Sequence, residues 1–114
     1  MIVDDHASFR ALASRVLAQA GFEVVGVAVD AASAIRQAAV LRPDVVLLDV
    51  MLPDRSGVEV ARALELGPDP PRVVLTSSRG RSDFGVAFEW PGGCEFIPKH
   101  ELSGSALTAL LAGS

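Results

Sequence analysis

The chain has 114 residues, half of them hydrophobic, and a formal charge of −4. That length and apolar content suit one domain spanning 1–114 with a core of its own, and an acidic chain without a basic cluster lacks the footprint for gripping nucleic acid through its phosphates. No apolar run approaches the roughly 20 residues of a membrane span, "MIVDDH" has no signal-peptide pattern, and the single Cys94 cannot form an internal disulfide, so a reducing, cytoplasmic setting is expected.

In chain order, "MIV" (1–3) is a short apolar run that ends in Asp4 and Asp5. Residues 7–20 place Phe9, Leu12, Val16 and Leu17 at helical spacing, with Gly21 as the stop. "FEVVGVAV" (22–29) is rich in β-branched residues and predicts a strand. Asp30 can cap a helix over 31–41, which must stop before Pro43. "DVVLLD" (44–49) is too short for a helix and wholly apolar between its two aspartates, the pattern of a central strand covered on both faces. A helix over 57–66 and a proline-rich loop follow, and "RVVLT" (72–76) repeats the buried-strand pattern. A short helix is expected near 82–89, weakened by Gly85 and ended by Pro91. "CEFIP" (94–98) is the last strand, and a helix over 103–112, capped by Ser103, closes the chain.

Five strands alternating with five helices imply an α/β fold with a parallel sheet and helices on both faces. Sites in such sheets form beyond the carboxyl ends of the strands, where strand order reverses. Asp4 and Asp5 follow the first strand and Asp49 ends the third. Thr76 ends the fourth, and Lys99, the one lysine of the chain, follows the fifth. With strand order 2-1-3-4-5, Asp30 lies to one side and its capping role suffices. Taken singly, each has an ordinary explanation as a turn, a cap or a surface charge. Together, three carboxylates on one rim repel one another unless a cation sits among them, and hard oxygen ligands suit Mg²⁺, with Mn²⁺ as the alternative. Asp49, at the tip of a rigid strand, is placed to act as a nucleophile that forms an acyl phosphate. Lys99 and the Thr76 hydroxyl are placed to balance an anion there.

"VDDH", "LLDVMLPDRSG", "VVLTSS" and "FIPKHEL", in this order and spacing, resemble the receiver domain of two-component response regulators, and the "DDH" and "RPDVVLLDV" segments are most similar to LuxR-type receivers. The resemblance covers essentially the whole chain. It implies a three-layer flavodoxin-like (βα)5 fold, Asp49 as phosphoacceptor for a sensor histidine kinase, and Mg²⁺ held by Asp4, Asp5, Asp49 and the backbone carbonyl of Met51. It also implies Lys99 as the phosphate-binding lysine, Thr76 and Phe96 as switch residues, and Met51 and Ser78 flanking the approach of hydrolytic water. The fourth helix, fifth strand and fifth helix would form the output face. Homodimerisation would use that face or the face of the first and last helices. Turnover of the phosphoryl group would be the only chemistry expected, and the chain would be either a stand-alone receiver or the receiver part of a LuxR-type regulator whose DNA binding belongs to another domain.

The chain departs from the usual receiver pattern in three places. Its first strand is short, His100 follows Lys99 where many receivers carry a proline (Pro98 precedes it instead), and "FGVAFEWPGG" is an unusual fourth helix. Alternatives stay open at single residues. Phe96 is a switch or plain core, Trp90 with Phe84 and Phe88 is an interaction surface or a core stripe, and His6 is an exposed loop residue or a neighbour of the metal site. A pseudo-receiver acting only through protein contacts is the main alternative. A dehalogenase-type phosphatase would need an aspartate where Met51 stands, and a flavin module would need a phosphate cradle where Asp4 and Asp5 stand.

Overall fold

A computed structural model of the chain describes residues 1–84 and 90–112. Strands β1 (Ile2–Val3), β2 (Val27–Ala28), β3 (Val45–Asp49), β4 (Arg72–Ser77) and β5 (Glu95–Pro98) form one parallel sheet in the order β2-β1-β3-β4-β5. Helices α1 (Ala7–Gln19), α2 (Ala31–Leu41), α3 (Gly57–Glu65) and α4 (Gly104–Ala112) connect and flank them. This is the parallel α/β sheet that the strand–helix alternation predicts, in the flavodoxin-like arrangement that the receiver resemblance implies.

Successive strand residues point to opposite faces, and both faces are covered. Ile2, Leu47, Val74 and Ile97 pack with Ala13 and Leu17 of α1 and Leu107 of α4. Val3, Val46, Leu48, Val73 and Leu75 pack on the other face with Ala31, Ala34 and Ala38 of α2 and Val60, Ala61 and Leu64 of α3. Each buried aliphatic side chain of this kind contributes about 1.5–3 kcal/mol of transfer free energy, so β3 and β4 are the rigid centre on which the rim residues stand.

The local signals act as their chemistry dictates. The Asp30 carboxylate accepts from the Ser33 amide at 2.8 Å, in a capping box with the Ser33 hydroxyl. Ser103 accepts from the Ala106 amide at 3.0 Å at the start of α4. Gly21, at φ +93°, turns the chain after α1 in the left-handed region that favours glycine.

Two expectations need correction. The strand expected over 22–29 is only Val27–Ala28, because β2 is an edge strand whose one neighbour, β1, is itself two residues long, with register Ile2↔Val27 and Val3↔Ala28. Phe22 and Val24 still turn into the core, whereas Val25, Val27 and Val29 face outward. The helix expected near 82–89 begins instead as a 3-10 turn, Arg81–Phe84; its remainder, with Gly85 and Phe88, lies outside the described residues. Phe84, Trp90 and Phe96 form a cluster of edge-to-face rings, with Trp90 centred 4.9 Å from Phe96 and 5.4 Å from Phe84. The cluster packs on the α2–α3 side of the core, so for Trp90 and Phe84 the core-stripe alternative describes what is seen.

Candidate functional site

The carboxyl ends of β1, β3 and β5 deliver three charged side chains to one place. Asp4 follows β1, its amide donating to the Ala28 carbonyl at 3.0 Å, and its side chain is fully buried. Asp49 ends β3 opposite Thr76 of β4 and is 3% exposed. Lys99 begins the 3-10 turn that follows β5. Its ammonium lies 2.7 Å from Asp4 Oδ2 and 3.1 Å from Asp49 Oδ2, bridging the two carboxylates.

The turn after Asp49 is built to leave that residue at the strand tip. The Val50 amide donates to the Thr76 carbonyl, and the Gly57 amide donates back to the Val50 carbonyl at 2.6 Å. A single bridge between Met51 and Ser56 closes the loop. A Cβ at position 57 would lie 2.1 Å from the Asp49 carbonyl oxygen, so only glycine fits there. The loop is also pinned from outside, since Asp54 accepts from the amides of Ala31 (2.8 Å) and Ala32 (3.1 Å) at the start of α2.

Burial and charge act against each other at these groups. Burial pushes the Asp49 carboxyl above its ordinary range; the Met51 amide and Lys99 oppose this, and the charge of Asp4 reinforces it. Burial would raise Asp4 too, but Lys99 and the His6 amide outweigh it and hold the group below the usual carboxylate range. Burial alone would lower Lys99, yet hydrogen bonds to Asp4 and Asp49 leave it raised and firmly cationic. Asp49 Oδ1 accepts from the Met51 amide at 3.0 Å, so each of its oxygens has a donor.

Asp5 and His6, both exposed, complete the rim. Ligand-type atoms of Asp4, Asp5, His6 and Asp49 all lie within 4.8 Å of one another. Three aspartates against one ammonium leave this mouth with an excess of negative charge, and its donors are hard carboxylate oxygens. Both properties fit a divalent ion of the Mg²⁺ kind.

Thr76 is fully buried, and its hydroxyl has no hydrogen-bond partner among the described residues. Phe96 is half-buried beside Leu75, one register step before Thr76, within the aromatic cluster. The Met51 side chain is 57% exposed, and Ser78 is exposed just beyond β4.

Sequence reasoning missed several supports. The Lys99 ammonium lies 4.7 Å from the centre of the Phe9 ring, a cation–π contact. The Arg10 guanidinium donates to the Asp4 carbonyl at 2.9 Å. Phe9 and Arg10 sit in the first turn of α1, where helical spacing marks only a core stripe. Asp54 gave no signal beyond its place in a proline turn.

The response regulator receiver domain family model matches residues 1–111. Protein-glutamate methylesterase/protein-glutamine glutaminase 5 of Myxococcus xanthus is 43% identical over 101 residues, covering 87% of this chain and 29% of that protein. The DNA-binding response regulator MtrA of Mycobacterium tuberculosis is 38% identical over 101 residues, covering 87% of this chain and 42% of that protein. The chain thus spans less than half the length of these curated relatives. Among solved structures, a LuxR-family two-component response regulator from Aurantimonas sp. SI85-9A1 superposes with a TM-score of 0.82 at 32% identity, covering 99% of this chain and 84% of the other.

Proposed function

The chain belongs to the response regulator receiver domain family, whose general role is phosphorelay signalling, and from that premise we propose that Asp49 accepts a phosphoryl group from a sensor histidine kinase. The observation that carries this reading is the Lys99 ammonium bridging Asp4 and Asp49 at the carboxyl rim of the sheet. In the transfer, an Asp49 carboxylate oxygen attacks phosphorus, the P–N bond to the kinase histidine breaks, and the imidazole leaves with its electron pair. Lys99, already at Asp49 Oδ2, is within reach of the new phosphoryl oxygens and offsets their charge. Thr76 supplies a buried hydroxyl that lacks a partner and is free to donate to that group.

Asp4, Asp5, Asp49 and the Met51 carbonyl would hold Mg²⁺. When bound, the ion neutralises charge on the transferring phosphoryl group. Hydrolysis reverses the modification: water attacks phosphorus, the P–O bond to Asp49 breaks, and carboxylate and inorganic phosphate are left. Met51 and Ser78, both exposed beside the rim, would tune the approach of that water.

The output is a population shift. Movement of Thr76 toward the phosphoryl group would free space beside β5 for Phe96, altering the face made by the segment before β5, β5 itself and α4. The names of the two curated relatives carry different activities, a methylesterase/glutaminase and a DNA-binding regulator. What they share with this chain is the 101-residue match, which supports a receiver whose effector lies elsewhere, LuxR-type transcription control being one such setting. No helix among the described residues is long and apolar enough to cross a membrane; we place the relay in the cytoplasm, with homodimerisation through the output face or the α1–α4 face, and no direct nucleic-acid contact by this segment.

Intact-mass measurement after acetyl phosphate and Mg²⁺ tests the reading. One phosphoryl adduct is expected on the wild type and none on Asp49→Ala; an adduct that persists in the variant overturns the assignment. Beryllofluoride with Mg²⁺ should shift amide signals around Thr76 and Phe96. Binding without such shifts would favour the pseudo-receiver.

A further inference from the structure

The acidic rim holds one donor that is not an oxygen. His6 Nδ1 lies 3.0 Å from Asp4 Oδ1 and 3.3 Å from Asp5 Oδ1, and it belongs to the same cluster as Asp49. The His6 amide also donates to Asp4 Oδ1, at 2.8 Å. That turn fixes the residue beside the carboxylates, although its side chain is 63% exposed. Resting on the proposal that this cluster binds a divalent ion, we propose that His6 is itself a ligand and that its imidazole makes the site prefer a late first-row transition ion over Mg²⁺.

The spacing supports this. Metal–ligand bonds of about 2.1 Å place neighbouring donors of an octahedron about 3.0 Å apart, and bonds of about 2.0 Å in a tetrahedron place them about 3.3 Å apart. The Nδ1 distances to Asp4 and Asp5 have these values, so an ion can engage the imidazole and a carboxylate without rebuilding the loop. Exposure helps as well, since the ring is largely open to solvent and Nε2 can carry the ring proton while Nδ1 binds. Imidazole contributes little toward Mg²⁺, which favours oxygen and keeps its waters, whereas affinity for nitrogen-containing sites rises along the first row toward copper. The same three aspartates therefore bind different ions according to whether position 6 supplies nitrogen.

An alternative role for His6 is only to donate a hydrogen bond to Asp4. The two roles separate by measurement. Titrations of Co²⁺ and of Mg²⁺ are followed by calorimetry in the wild-type and His6→Ala chains, both carrying His100→Ala to remove the other histidine. His6→Ala is expected to weaken Co²⁺ by roughly ten-fold or more, since losing even an outer-shell partner costs about that much, and to weaken Mg²⁺ by a clearly smaller factor. The visible bands of bound Co²⁺ are expected to change between the two proteins, as they must when a nitrogen donor is lost. Equal weakening of both ions, or unchanged cobalt bands, assigns His6 to positioning Asp4 and overturns the proposal. Wild-type protein that binds Mg²⁺ while its Co²⁺ affinity ignores His6 sinks this inference alone; wild type that binds neither ion sinks the underlying metal site.

Discussion

Lys99→Met isolates the charge at the centre of the site. Methionine keeps an apolar stem of similar length and removes the ammonium, together with its contact to the Phe9 ring. Two carboxylates, 0% and 3% exposed, then lose the cation 2.7 and 3.1 Å away. Breaking a buried pair by removing one partner costs about 3–5 kcal/mol when the remaining charge has no other recourse. Here Asp49 has one. Burial, reinforced by the charge of Asp4, already raises its carboxyl, so it can take up a proton instead. At pH 7, protonating a carboxyl of ordinary pKa about 3.9 costs about 4 kcal/mol, which caps the penalty at that group.

A loss of about 2–4 kcal/mol is therefore expected in Mg²⁺-free buffer, or about 8–16 °C in Tm for a chain of this size. The sign with pH follows from the direction of the Asp49 shift. A carboxyl raised in the folded state binds its proton more readily there than in the unfolded chain, so acidification favours the folded variant. At pH 5.5 the cap falls to about 2 kcal/mol, and the deficit relative to wild type should shrink. Asp4 owes its lowered range first to Lys99, so in the variant burial acts on it as well and any proton it takes up adds to the same slope. Mg²⁺ should restore more stability to the variant than to the wild type, because its site has lost a competing positive charge. Urea and thermal denaturation at both pH values check this. A deficit under about 1 kcal/mol, or one identical at pH 5.5 and 7, would refute the claim that Lys99 is what keeps both carboxylates ionised.

Gly57→Ala forces a Cβ to within 2.1 Å of the Asp49 carbonyl oxygen and should cost about 3 kcal/mol or more; an unchanged urea midpoint would show that the loop is free to open there. Asp54→Ala should speed hydrogen exchange at the Ala31 and Ala32 amides, whose bonds it accepts. The Ala31 amide foremost holds the Asp54 carboxyl below its usual range, so its stabilisation is present at neutral pH and fades as pH falls through that depressed value. Trp90 is the only tryptophan in a chain without tyrosine, and its ring is centred 4.9 Å from Phe96. If phosphorylation moves Phe96, beryllofluoride with Mg²⁺ should change Trp90 emission in the wild type and much less in Phe96→Leu; an unchanged wild-type spectrum would make Phe96 plain core.

Most of the fold was legible because its signals are local or periodic. The apolar runs at 45–48 and 73–75 had to be buried strands, since their lengths exclude helices and both faces of a parallel sheet need cover. Asp30, Ser103 and Gly21 mark helix ends through their own backbone chemistry, without reference to distant residues. The run at 22–29 misled because β-propensity states what a segment tolerates, not how much partner it has. Its valines fit a strand, but β1 offers only Ile2 and Val3 in register.

The rim residues were legible for a related reason. In a parallel sheet every strand ends on the same side, so the residue closing each apolar run is assigned to one edge before any contact is known. That logic brings Asp4, Asp5, Asp49, Thr76 and Lys99 together. It is silent about residues that reach the edge from a helix or a neighbouring loop. Phe9 under Lys99, Arg10 on the Asp4 carbonyl and Asp54 at the start of α2 are of this kind. Their spacing reports a helix face or a turn, while their contacts depend on how α1 and the β3–α3 loop settle against the sheet. His6 falls between the two classes. It adjoins the aspartates in sequence, yet only the turn that carries its amide to Asp4 sets its ring beside them. Carboxylates and lysine at strand ends therefore establish what charge the site carries, and the side chains that arrive from outside the strands set the geometry around that charge.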